Sequence, residues 1–180
     1  RWHGVGGMLL GLGNLLCKLY LTVIRGTPST VQLLIMYFII FGSSQNMMAA
    51  AIISFGVNSG AYVAEIVRSG IMSIPKGQME AARSLGLSSW QSMKLVVLPQ
   101  AIKNILPALG NELITLLKET SICTVIGLMD LTKGAMIVQS RTYAPWVPYL
   151  SIAIIYLVIV LILTKLLGIL ERRLRESDRR

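Results

Sequence analysis

The chain has 180 residues, 54% of them hydrophobic and only 14% charged, with a formal net charge of +9, and its mean hydropathy of +0.67 lies outside the range of soluble domains. Apolar runs long enough to cross a bilayer exclude a basic nucleic-acid module, so the charge reads as membrane topology. Cys17 and Cys123 are too few for a disulfide framework and read as free thiols; the single His3 leaves no metal cluster, and no phosphate loop, Ser/His/Asp arrangement or cofactor motif supports catalysis.

Residues 5–24 mix leucines with four glycines, Asn14 and Lys18, which reads as an amphipathic segment or the tail of a membrane helix rather than a full span. The chain opens at Arg1 without a signal-peptide pattern and reads as truncated at its start. Thr27 and Pro28 then offer an N-cap and a favoured first helical residue for 28–42, a short apolar span. A bilayer core of about 30 Å needs about 20 helical residues, and three stretches, 47–67, 104–128 and 147–170, meet that length. The expected fold is all-α, with four transmembrane helices in one membrane domain. Residues 1–27 form an N-terminal remnant, 28–68 two helices, 69–100 a polar loop, 101–170 two helices and 171–180 a basic tail.

Placing the 69–100 loop in the cytoplasm puts the segment 1–25 and the C-terminus on the same side. Lys133 and Arg141 are then the only cations outside, so the positive-inside rule is strongly obeyed. The loop at 128–147, with Asp130, Arg141, Pro145 and Pro148, is external; it connects two helices or meets a partner.

Two of the spans carry polar stripes. Ser54, Asn58, Tyr62 and Glu65 recur at helical intervals in the first, and Asn111, Glu112, Thr115, Lys118, Glu119 and Ser121 form a band in the second. An ionised side chain near the bilayer centre costs about 2.5–3.5 kcal/mol, so these groups face protein or water. Either Lys118 and a glutamate neutralise each other in helix packing, or the stripes line a route for a polar solute. The 147–170 span has only Lys165 near its inner end and reads as a lipid-facing wall.

Within the loop, Pro75 can start a helix over 76–85, and Gly86 suits a left-handed stop. Ser88 with Gln91 reads as a capping box that opens a second helix, running to about Val97 before Pro99. The outcome is a helical hairpin whose less polar face carries Ala81, Ala82 and Leu85, with Glu80 and Arg83 paired at the rim. Such a face suits insertion into a partner's groove; the competing reading is a helix lying on the membrane through Trp90 and Met93.

The series Glu80, Ala81, Ala82, Gly86, Val96, Leu98, Pro99 resembles the EAA motif of bacterial ABC-importer permeases, with Val where isoleucine is usual. "RGTP" at Arg25 to Pro28 with Gln32, "NSGAYVAEIVRSGI" at Asn58 to Ile71, "SIPKGQ" at Ser73 to Gln78 and "LLKETS" at Leu116 to Ser121 resemble the polar amino-acid subfamily of those permeases. The resemblance implies the type I ABC importer permease fold, a core of five or more helices of which four are expected here, and at least one further helix before "RGTP" that reads as absent. It implies a permease of a bacterial cytoplasmic (inner) membrane, multi-pass, with its C-terminus in the cytoplasm.

The implied partners are a second permease subunit in a homodimer or heterodimer, two ATPase subunits that carry ATP and Mg, and an extracytoplasmic amino-acid-binding protein; no nucleic acid is involved. The chain itself would bind no cofactor and would not be an enzyme. By the same resemblance Glu80, Ala81, Ala82, Arg83, Gly86 and Pro99 couple to the ATPase. Asn58, Ser59, Glu112, Thr115, Lys118, Glu119 and Ser121 are the candidates for the solute pathway. The alternative is an ion-coupled secondary transporter or channel for a small polar solute, which leaves the hairpin without a purpose.

Overall fold

The structure, a computed structural model, describes residues 5–44 and 46–176. These residues form helices and no strand, as a backbone surrounded by lipid must pair its N–H and C=O groups internally. The order is α1 (Val5–Gly26), α2 (Ser29–Ile35) with a π-helical turn (Met36–Ile40), α3 (Met47–Met72), α4 (Lys76–Ser84) and α5 (Ser89–Ser92). A second π-helical turn (Met93–Val97) leads into α6 (Leu98–Glu119), a 3-10 stretch (Thr120–Ile126), α7 (Leu131–Thr142) and α8 (Trp146–Glu176).

Gly7–Gly26, Met47–Met72 and Trp146–Leu174 are each long and apolar enough to cross a bilayer, and Ser89–Ile126 with Leu131–Thr142 qualifies as one bent span. This corrects the reading of the first segment. The expected remnant is a helix in its own right that runs into "RGTP" as far as Gly26, because its leucines outweigh the glycines, which membrane helices tolerate well. The 28–42 segment, expected as a span, is instead the shorter apolar helix Ser29–Ile40. A second correction concerns Pro99, where the helix was expected to stop: Ser89–Ile126 runs through it.

The chain divides into two compact units, Arg1–Tyr62 with Ile122–Leu128, and Val63–Ser121 with Met129–Arg180. In the first, Leu33, Ala50, Ala51, Phe55, Cys123 and Ile126 are buried. There the Tyr20 hydroxyl donates to the Val57 carbonyl at 2.6 Å, tying α1 to α3.

In the second unit α8 packs along α6 and against α7. Its most apolar stretch has no buried residue, in keeping with a lipid-facing wall. Helices α6 and α8 come close at Gly110, where an added Cβ would meet the Leu167 side chain and force it to shift; likewise a Cβ on Gly70 would meet the Ile105 side chain. Between membrane helices there is little hydrophobic drive, so small residues that let backbones approach supply much of the association.

Gly110→Val should therefore lower the stability of the detergent-solubilised protein by about 1–3 kcal/mol, read as a fall in its thermal unfolding midpoint. Gly56→Ala is the control, since open space surrounds that position, and it should not lower the midpoint, alanine being the better helix former.

Candidate functional site: the 76–97 hairpin and the polar helix faces

The hairpin is held by local chemistry at both sides of its bend. Helix α4 ends with Gly86 at φ +88, a conformation costly for a residue with a Cβ. The Gly86 N–H donates to the Arg83 carbonyl at 3.0 Å and the Leu87 N–H to the Ala82 carbonyl at 3.3 Å, the paired bonds of a Schellman motif. Two residues later the capping box closes in both directions: the Gln91 N–H donates to Ser88 Oγ at 3.3 Å, and the Ser88 N–H to Gln91 Oε1 at 2.9 Å. The bend is thus a stop and a start with one residue between them.

Helix α4 packs against α5 and the π-helical turn 93–97. Ala82, Ser92 and Val97 are buried, and the Ser92 hydroxyl donates to the Ser88 carbonyl at 2.9 Å, which removes the cost of enclosing it. Ala82 therefore belongs to the interior of the hairpin and not to its outer face, where the sequence reading had put it beside Ala81 and Leu85. Glu80, Ala81 and Arg83 are exposed, and Leu85 is 85% and Trp90 73% exposed. The expected Glu80–Arg83 pair does not form; among the described residues Glu80 has no ion-pair partner. The outer face thus offers one free carboxylate among uncovered apolar side chains.

The stripe on α3 splits in two. In the first unit Ser54 and Asn58 are buried, and Asn58 Nδ2 donates to Gln32 Oε1 at 2.9 Å. Gln32 Nε2 in turn donates to the Ile24 carbonyl at 2.7 Å and Thr27 Oγ1 at 2.7 Å, so one amide pair ties α1, α2 and α3. Asn58, a candidate for the solute route, thus has its amide nitrogen engaged in this knot. The Arg25 guanidinium lies 5.8 Å from the Tyr62 ring centre. In the second unit Arg68 grips Glu65 with two donors, Nε reaching Oε2 at 2.9 Å.

The band on α6 keeps its charges. Thr115 donates to the Asn111 carbonyl at 3.1 Å and Ser121 to the Lys118 carbonyl at 2.7 Å, so both hydroxyls are satisfied by their own backbone. Asn111, Thr115 and Lys118 are exposed, Ser59, Glu112, Glu119 and Ser121 half-buried. Among the described residues neither Lys118 nor Glu119 makes an ion pair; as neighbours in sequence they point to different faces. Neutralisation within helix packing therefore does not account for Lys118. Asn111, Thr115 and Lys118, at intervals of four and three, share one open face. No metal-binding group of His, Cys, Asp or Glu occurs among the described residues.

Sequence reasoning missed three features. Gln32 is the hub of the amide knot, although nothing in its spacing announces Asn58. Ser92, an ordinary hydroxyl in the sequence, is the small residue that lets the hairpin arms close. The wide turn at 93–97 had one available signal, a proline directly after a run of apolar residues that continues the helix.

The structure is that of a multi-pass helical membrane protein with an exposed, doubly capped hairpin between its spans. Over residues 5–176 the chain matches the family of binding-protein-dependent transport system inner membrane components, and it belongs to that family. It is 43% identical over 187 residues to the arginine transport system permease protein ArtQ of Bacillus subtilis (strain 168), an alignment covering 96% of this chain and 85% of that one. To the glutamine transport system permease protein GlnP of Escherichia coli (strain K12) it is 36% identical over 186 residues, covering 94% and 85%. The crystal structure of an amino acid ABC transporter with histidines is similar at 52% identity and a TM-score of 0.83, over 88% of this chain and 75% of that one.

The amide knot yields a test. Asn58→Leu strands the Gln32 carbonyl oxygen and should cost about 1–3 kcal/mol, read as a lower thermal midpoint. Because Gln32→Leu also gives up the bonds to Ile24 and Thr27, the double variant should lose less than the sum of the two single losses, the non-additivity expected of side chains in one network.

Proposed function

We propose that this chain is the membrane-spanning subunit of an ATP-driven ABC importer for polar or charged amino acids, seated in a bacterial cytoplasmic membrane with the hairpin and the C-terminus inside. It pairs with a second permease subunit, receives solute from an extracytoplasmic binding protein, and leaves ATP and Mg to two separate ATPase subunits. The single observation that carries this reading is the hairpin: Leu85 and Trp90 stand almost fully in the open on a bend fixed by a Schellman motif and a capping box. A rigid, partly apolar projection between membrane spans fits a groove on a soluble partner.

The arrangement supports a mechanical role. ATP binding draws the two ATPase subunits together, each carries a hairpin, and the helices attached to it change the side to which the pathway opens, a rigid-body transition between two states. Glu80, Ala81, Arg83 and Leu85 touch the ATPase in this scheme, Gly86 sets the bend, and Ala82 holds the arms together. Solute biases the transition only through contacts that differ between the two states. Asn111, Thr115 and Lys118, with Glu119 beside them, are the groups available for that. The glutamate favours a cationic or amide-bearing amino acid.

Co-expression with the cognate ATPase tests the reading. Wild type should co-purify with it and show binding-protein-stimulated ATP hydrolysis; Leu85→Asp with Glu80→Lys should lose the ATPase while inserting into the membrane normally. Uptake that continues without any ATPase would overturn the importer in favour of an ion-coupled transporter. In the assembled system Glu119→Gln should weaken uptake of Arg, Lys, His or Gln by about tenfold, the scale of one lost charge-assisted contact.

A further inference from the structure

The second arm of the hairpin and the α6 span are one continuous helix, Ser89–Ile126, interrupted in its winding but not in its path by the π-helical turn Met93–Val97. There the Leu98 N–H donates to the Met93 carbonyl, five residues back, instead of to Lys94, four back. The next residue, Pro99, has no N–H to offer Leu95. Two successive carbonyls, Lys94 and Leu95, thus lose the donors an α-helix would give them.

Accommodating a proline is not a sufficient reason for the wide turn. Pro107 lies inside the same α6 helix, and the winding there stays α-helical throughout. The turn at 93–97 is a feature of its own position, which is the boundary between the hairpin and the span. It is also where the first arm rests, since α4 packs directly against 93–97 and Ala82 and Val97 are both buried. The Gln100 amide braces the junction, Nε2 donating to the Val96 carbonyl at 2.8 Å and, more weakly, to Gln78 Oε1 on α4 at 3.5 Å. Extra-residue turns of this kind are weak points at which helices bend.

We propose that Met93–Val97 is the joint of the coupling hairpin, a turn that changes its winding as the docked arm moves and so sets the angle passed to α6. This rests on the importer reading above. The extra residue supplies slack: with α winding restored through this stretch, hairpin and span form a single stiff rod. Pro99 keeps the wide turn in place by denying Leu95 its donor.

The test uses the full transporter in lipid vesicles, comparing wild type with a variant in which Leu95 is deleted and Pro99→Ala introduced, which permits unbroken α winding. Pro107→Ala serves as the control. ATPase co-purification, binding-protein-stimulated hydrolysis and solute uptake are measured together. The expected result is normal ATPase binding with stimulation and uptake reduced at least about fivefold, the low end of typical coupling energies, and wild-type behaviour for the control. A variant that couples as wild type does overturns the joint and leaves the importer reading standing. A wild type that neither binds the ATPase nor responds to the binding protein overturns both.

Should the deletion variant fail to insert, spin labels at Lys76→Cys, on the exposed start of α4 outside the proposed ATPase contacts, and Leu106→Cys in an otherwise cysteine-free background decide the matter. Their separation across the turn should differ between the nucleotide-free and ATP-bound transporter; an unchanged distance overturns the proposal.

Discussion

Water is missing from the bilayer core, and the rest of the structure follows from that exclusion. A backbone group left unpaired in hydrocarbon costs several kcal/mol, so nearly every described residue is helical. The same constraint governs the side chains. Thr115, Thr120 and Ser121 all donate to a carbonyl on their own helix, and the Asn58 amide finds Gln32. Against that background of internal satisfaction, Glu80 on the hairpin and Lys118 on α6 are exposed and make no ion pair among the described residues.

The parts legible in the sequence are those whose causes are local. The Gly86 stop and the Ser88–Gln91 start depend on residues within a few positions of one another, and both form as their spacing requires. Hydropathy likewise identifies α3 and α8, because twenty or so apolar residues in a row have few other uses. The EAA-type pattern, a run of local signals, carried the family as well.

What the sequence withheld depends on distance or on cancellation. Asn58 and Gln32 are 26 positions apart, and no spacing rule joins them, so the amide knot had no local signal. In α1 the glycines, Asn14 and Lys18 argue against a span one by one, but the sum over the helix still favours it. Ala81 and Ala82 are adjacent in the motif and look equivalent, yet a helix turns about 100° per residue and sends one outward and the other into the hairpin. Pro99 was read as a terminator because proline usually is one; a wider turn just before it keeps the helix going.

The positive φ of Gly86 also bears on how freely this bend can evolve. A glycine codon altered at one base encodes alanine, valine, serine, cysteine, aspartate, glutamate, arginine or tryptophan, and each of these brings a Cβ into the left-handed region. Of these only aspartate is at all common in that region; asparagine, its amide counterpart, lies two base changes away. At φ +88 all the single-base replacements but aspartate are strongly disfavoured, so the genetic code itself helps to hold the residue in place.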